Sequence, residues 1–351
     1  MSKARGSIAA CALVLLALGL SGCMQAINAN AGYNIFAFGH LVGTNYGSSS
    51  NYLYYPRGMA VDSAGDVFVV DGGNNRIVEI AAPNPITKTS TWLTFPNTST
   101  PSGDFFYAPE GIAIDSAGDI WVSDTGYNRN GAAPNGRIVH LTTATWQTAT
   151  PKFDVNHSIT IGASNYPFKY PLGLAVNATG TELYIADPDT SFPSNTPYVF
   201  AAAVSGSSFA GSAATSAFVA GAANASFPRG LAVDSNGNVY ITDETNYHIV
   251  EMDSGLTTVK ATLGTRGSAA GQFISPQTIA IDSSNNIYVV DSSSYWIVKM
   301  SDMFGTGWTR YGVQTGTPST SVYPNWVAVS PSSPTDIYVS DDTDYQIAEF
   351  Q

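Results

Sequence analysis

The chain is poor in cysteine, in charge and in histidine. Two cysteines among 351 residues, Cys11 and Cys23, exclude a disulfide scaffold. Only 11% of residues are charged, less than half the ~25% of an ordinary soluble domain. Bases are the scarcer sign: 14 Lys and Arg stand against 26 Asp and Glu, a net charge of −12. A nucleic-acid partner is excluded on that balance, since phosphate binding needs a basic footprint. No Gly-x-Ser-x-Gly, His-Glu-x-x-His or phosphate-loop pattern occurs. What is abundant is aromatic: 19 Tyr and 16 Phe bury enough area to offset chain entropy, which argues against disorder. At ~150 residues per domain, the length alone suggests two domains.

The first residues read as an address. Lys3 and Arg5 precede an apolar run from Ile8 to Leu20. Its 13 residues are too few to span a bilayer, which takes ~20, but suit the core of a secretory signal. The run closes with Leu20-Ser21-Gly22-Cys23, which resembles the lipobox of bacterial lipoproteins. The resemblance implies a signal peptide over 1–22, lipid on Cys23, and a tether over 23–33. Cys11 leaves with the signal, so the mature fold keeps no thiol, as an oxidising envelope favours. The expected location is the bacterial cell envelope, membrane-anchored. Met24 in place of Asp points to the outer membrane in a Gram-negative cell.

A repeat organises the rest. It begins at Pro56, Pro109, Pro171, Pro228, Pro276 and Pro324, about 54 residues apart. From each Pro to the Asp ending the next strand the separations are 15, 15, 16, 15, 15 and 17 residues. Within a unit, short runs rich in Val, Ile and Tyr read as strands. Asp62-Ser63-Ala64-Gly65 reads as a turn: the Asp side chain accepts from backbone N–H groups ahead, and Gly tolerates positive φ. A third strand carries Ile-Val, as at Ile249-Val250, and a fourth lies in the spacer, as at Val259 to Leu263. Six such units predict an all-β, six-bladed β-propeller of four-stranded antiparallel blades over 34–351. The last unit lacks a fourth strand, and Asn34 to Phe38 has no unit of its own. That N-terminal strand is expected to close the last blade. The run from Ala201 to Ala225 is expected to give blade three a smooth outer strand.

The pattern Pro-x-Gly-(apolar)-Ala-(apolar)-Asp, Gly-Asn-(apolar)-Tyr-Val-x-Asp and Asn-x-x-Ile-Val resembles the NHL repeat. It weakens in blade three, where Asn177 replaces the turn Asp, and in blade six, where Ser330 to Pro334 replaces the turn. In that family the first strand lines a channel, so the x of Pro-x-Gly sits at its mouth. Those positions hold Arg57, Glu110, Leu172, Arg229, Gln277 and Asn325. Arg57 and Arg229 come from opposite blades, and either pair with Glu110 or hold a small anion. An enlarged loop in blade two adds Tyr127 and Arg129 on the same face, and blade three inserts Pro188 to Pro197. Of the aromatics before each Pro, most are expected in the core, with Tyr52 and Tyr54 exposed and able to stack on sugars or peptides.

Asp71, Asp124, Asp187, Asp243, Asp291 and Asp341 recur as a ring. Capping of loop N–H groups explains the recurrence; calcium or another divalent cation is the alternative, needing converging oxygens. Some relatives are lyases with His-held zinc, but no Pro-x-Gly position here holds His. Lactonases of related fold use Glu, Asn and Asp around a cation, which Glu110, Asn325 and one repeat Asp can imitate. No cofactor is expected. The expected function is a lipid-anchored module binding a protein, peptide, sugar or small anionic ligand on its top face. The alternative is a divalent-cation lyase or lactonase.

Overall fold

A computed structural model describes residues 38–42, 52–81, 91–95, 106–126, 136–143, 154–156, 158–161, 164–188, 198–204, 209–214, 226–312, 323–333 and 336–350. Among these the strands form six sheets. Blade one runs Pro56–Val61, Val67–Asp71, Arg76–Ile80 and Trp92–Phe95, each strand pairing with the next. The other inner strands are Pro109–Ile114, Leu174–Val176, Pro228–Val233, Pro276–Ile281 and Pro324–Val329. Each inner strand packs beside the next, and the sixth packs beside the first. The ring is therefore closed: a β-propeller.

Burial explains the runs of apolar sequence. The second strand is buried along its length in five blades, and in blade three all but Glu182 is buried, because a blade lies against a neighbour on both faces. Alternate residues serve alternate neighbours. Val67 and Val69 pack with Trp326 and Tyr338 of blade six, whereas Phe68 and Val70 pack with Ile112 and Val122 of blade two. Such strands have no solvent face, hence few charges.

The turns follow their sequence. Asp62 Oδ1 accepts from the N–H groups of Ala64 and Asp66, both at 2.9 Å, and Gly65 takes φ +92°. In blade three Asn177 does the same, accepting from Thr181 at 2.9 Å and Glu182 at 3.2 Å. The exchange of Asp for Asn keeps the turn, because only an acceptor oxygen is needed.

Two edges differ from expectation. The closing strand is described over Phe38–Val42, beyond the expected Asn34–Phe38, of which only Phe38 is described, and pairs antiparallel with Gln346–Phe350. Leu41 lies opposite Ala348 and Val42 opposite Ile347, with the register broken between Phe38 and His40, where Gly39 stands. Blade three is not a plain four-stranded blade. Its fourth strand, Phe209–Ala214, pairs in parallel with Ser158–Ile161, which forms a hairpin with Ser164–Pro167. Phe209–Ala214 is therefore not the outer edge of this sheet, which ends on Ser164–Pro167.

A seam joins each inner strand to the next. A Cβ added to Gly58 would stand 2.5 Å from the Glu110 carbonyl oxygen, and one on Gly230 2.7 Å from that of Gln277. The same atom on Gly111 would clash with the Leu172 carbonyl, and on Gly173 with the Arg229 carbonyl. Where blade five has Thr278, its hydroxyl donates to the Asn325 carbonyl at 3.1 Å. Gly111→Ala and Gly173→Ala should each lower unfolding free energy by about 1–3 kcal/mol in urea titrations. Gly255→Ala, whose Cβ meets its nearest neighbour at 3.7 Å, should leave it unchanged.

Blade one also buries an ill-matched carboxylate. Tyr338 donates to Glu349, its cross-strand partner, at 3.3 Å, but Glu79 lies opposite Phe68, which has no hydroxyl. Glu79 Oε2 is buried with no hydrogen-bond partner among the described residues. Burial, then Asp66 and Asp62, push this carboxyl from 4.5 up to about 7. The folded state thus holds a proton that the unfolded chain gives up. Stability should fall as pH rises from about 4.5 to about 7. Glu79→Gln should flatten that slope and add on the order of 1–3 kcal/mol at pH 8, read from thermal melts across pH.

Candidate functional site: the channel mouth

Every inner strand begins on one face, here the top, and the loops from second to third strands lie there as well. The repeat Asp fixes these loops. Asp71 accepts from Tyr54 N–H at 2.6 Å, Asn74 at 2.8 Å and Arg76 Nε at 2.6 Å. Asp124 takes Tyr107 N–H and Arg137, Asp187 takes Lys169 and Tyr170 N–H, and Asp243 takes Phe227 N–H and Asn246. Asp291 holds Ile274, Ser275 and Ser294, and Asp341 holds Tyr323, Thr343, Asp344 and Gln346. Each carboxylate holds backbone just before its own inner strand, and those of blades one, two, four, five and six also hold residues of the following loop or third strand.

The seam carbonyls are satisfied across blades. Ser123 Oγ accepts from Gly111 N–H at 2.7 Å and donates to the Leu172 carbonyl at 2.6 Å. Thr242 repeats this with Gly230 N–H at 2.8 Å and the Gln277 carbonyl at 2.7 Å, and Ser340 donates to the Arg57 carbonyl at 3.0 Å. Blades two, four and six thus grip the backbone of the following blade at its x position. A backbone held this way presents the x side chain with little freedom.

Those side chains form a mixed-charge cluster. Arg57 Nη1 lies 3.5 Å from Glu110 Oε2, and Glu110 is only 13% exposed. Arg229 Nη1 lies 3.2 Å from Glu244 Oε2. Glu244 Oε1 accepts from Ser275 Oγ at 2.9 Å and from Gln277 Nε2 at 3.4 Å. Asn325 Nδ2 donates to Asp342 Oδ2 at 2.7 Å. Burial raises the Glu110 pKa; Arg57 and then Arg229 oppose this, and Asp342 adds to it. One blade-two carboxyl is thus acted on by charges of blades one, four and six. Leu172 is buried and contributes no charge.

Two members were missed in the sequence. Glu244 and Asp342 each follow a repeat Asp, a position held elsewhere by Gly72, Thr125, Pro188 and Ser292. The signal was a charge at a position that otherwise carries none. With them the mouth holds three carboxylates to two guanidiniums, and both guanidiniums are engaged. Tyr127 and Arg129 lie outside the described residues, as do Cys23 and the stretch before Phe38. Tyr52 is exposed, as is Tyr55, whereas Tyr54 is half-buried, its ring 4.5 Å from that of Tyr55.

The residues do not fit a divalent cation in the manner of a Glu, Asn and repeat-Asp set. The repeat Asp groups are spent on their loops, the Asn325 amide donates to Asp342, and Glu110 faces Arg57. Among the described residues no three His, Cys, Asp or Glu side chains gather closely enough to hold a metal ion. The described residues also include no helix long and apolar enough to cross a membrane.

Residues 53–80 and 106–130 match the NHL repeat family model, and residues 220–247 match a β-propeller repeat model. The chain carries NHL repeats. A human protein, NHL repeat-containing protein 3, is 35% identical over 88 residues, 24% of this chain and 24% of the relative. The match thus spans about a quarter of that relative's length. A chain of a nidogen–laminin complex superposes with TM-score 0.56 at 16% identity, covering 81% of this chain and 88% of that one. A gluconolactonase from Xanthomonas campestris superposes with TM-score 0.57 at 11% identity, covering 92% and 93%. At such identity these two likenesses speak for the propeller fold alone.

Arg57→Gln should leave Glu110 without its nearest cation and raise its folded pKa further. Folding stability at pH 7 should drop by about 2–4 kcal/mol, and the loss should shrink as pH falls and Glu110 is protonated. Urea titrations at pH 4 and pH 7 check both statements.

Proposed function

We propose that this NHL-repeat propeller is a binding module that takes its partner on the top face, around the channel mouth. The observation that carries the reading is the mouth itself. Side chains of four blades share one electrostatic site, on backbone locked by cross-blade hydrogen bonds. Rigid presentation of a few polar groups lowers the ordering cost of binding. A solved chain of similar fold comes from a nidogen–laminin complex, which accords with a protein-binding use. Fold alone does not fix function, and the propeller hosts enzymes as well.

The same reading places the protein on a membrane through lipidated Cys23, in a bacterial cell envelope. Chain direction supports this geometry. Phe38 pairs with Phe350, at the bottom end of the last blade, so the chain enters the ring on the face opposite the mouth. A tether there leaves the top face pointing away from the bilayer. Cys23→Ala should move the full chain from the membrane fraction to the soluble one; retention in the membrane would contradict the anchor.

Thermal shifts test the binding site. A panel of amino acids, sugars and organic acids is screened against the full chain. A ligand at 100 times its Kd stabilises by ~2.7 kcal/mol. Arg57→Ala and Arg229→Ala should each abolish the shift of any organic acid that raises the wild-type Tm. A shift that survives both substitutions would place the site elsewhere.

A further inference from the structure

The loops between second and third strands end, in four blades, on a residue with left-handed backbone: Asn75 at φ 52°, Tyr247 at 60°, Tyr295 at 59° and Tyr345 at 55°. Asn is at ease there, and a bulky aromatic is strained. Strain that recurs at one place in a repeat points to a use for the side chain. Asn75 has a structural use: its Oδ1 accepts from Ala108 N–H of the next blade at 2.9 Å. A tyrosine ring cannot make that bond. Tyr295 instead sets its ring 5.2 Å from Tyr323, edge to face, and Tyr345 sets its ring 5.1 Å from Tyr55.

The same face shows what such rings receive. Arg266 lies over Tyr247 at 5.3 Å, and Arg137 lies over Tyr107 at 5.5 Å. At those seams the chain covers its own tyrosine with its own guanidinium. Among the described residues no Arg or Lys lies over Tyr295, Tyr323 or Tyr55, and they are 46%, 37% and 39% exposed. Two carboxylates, Asp342 and Asp344, share the loop of Tyr345, and neither forms an ion pair with a described residue. Ring faces beside carboxylates attract guanidinium and ammonium groups. A net charge of −12 adds long-range attraction for a basic partner.

We propose that the rim over blades five, six and one, formed by Tyr295, Tyr323, Asp342, Asp344, Tyr345 and Tyr55, docks an arginine- or lysine-bearing segment of a partner protein. The inference rests on the top-face reading and names its partner. The rim lies beside the mouth and is opposite in charge to Arg57 and Arg229, whose guanidiniums face Glu110 and Glu244. A neutral sugar would use the rings but gain nothing from the carboxylates.

The test measures fluorescence anisotropy of a labelled peptide of alternating Arg and Gly with the full chain. Its citrulline counterpart, which keeps the shape and loses the charge, and a neutral glucan hexasaccharide as competitor serve as comparisons. The Arg peptide should bind, more tightly at low salt, and the citrulline peptide about tenfold more weakly. Tyr295→Asn with Tyr345→Asn installs the residue that blade one uses at the same place, and should weaken binding about tenfold with Tm retained. If that variant loses Tm, Asp342→Asn with Asp344→Asn should give the same weakening. Equal binding of the citrulline peptide, displacement by the glucan, or undiminished binding by the variants would overturn the inference. Absence of peptide binding, with Arg-dependent thermal shifts intact, would overturn it and leave the top-face reading standing; failure of both assays removes both.

Discussion

The structure depends on one close approach. The residue after x in Pro-x-Gly lies against the carbonyl oxygen of the x residue in the following blade, with no room for a Cβ at Gly58, Gly111, Gly173 or Gly230. That contact sets the distance between inner strands at four of the six seams, while blades five and six carry Thr278 and Trp326 there. It also turns the backbone so that one residue per blade faces the mouth. Closure adds a second constraint. The first strand completes the last blade, so opening the ring requires the pairing of Phe38–Val42 with Gln346–Phe350 to break. In repeat arrays stability is a sum of neighbour contacts, and a closed array has no frayed end.

The scarcity of charge follows from the same geometry. Second strands are buried on both faces, and a charge on the third strand beside them needs a local partner. Trp121 stacks on His140 at 3.8 Å while His140 meets Asp119; Lys299 lies over Tyr288 at 5.0 Å. Glu79 is the exception, since Phe68 offers it nothing. Charges elsewhere collect where the ring leaves room, at the mouth and along the top loops. There Arg57, Glu110, Arg229, Glu244 and Asp342 act on one another through a partly desolvated space, in which Coulomb terms outweigh those at an open surface.

Much of this was legible in the sequence because it repeats. The Pro-to-Asp spacing gave the blades, the Asp-x-x-Gly turns gave their lower ends, and the missing fourth strand of the last unit gave the closure. What was illegible comes from contacts between units. The hairpin Ser158–Ile161 and Ser164–Pro167 joins the edge of blade three through a parallel pairing that no local pattern announces. Glu244 and Asp342 occupy a position whose neighbours in other blades are uncharged, so no template drew attention to them. Tyr54 and Tyr55 both pack on Tyr345, at 5.3 and 5.1 Å, a residue almost the whole chain away in sequence.

The central claim is that residues from non-adjacent blades share one mouth. The direct measurement is the titration of the Glu110 carboxyl, followed by carbon-detected NMR, in the wild-type chain and in Arg229→Gln. Arg229 stands two blades away, so it can reach Glu110 only across the channel. The account predicts a Glu110 pKa above the ordinary carboxylate value, rising further when Arg229 is neutralised. A Glu110 titration that does not move on that substitution would contradict it.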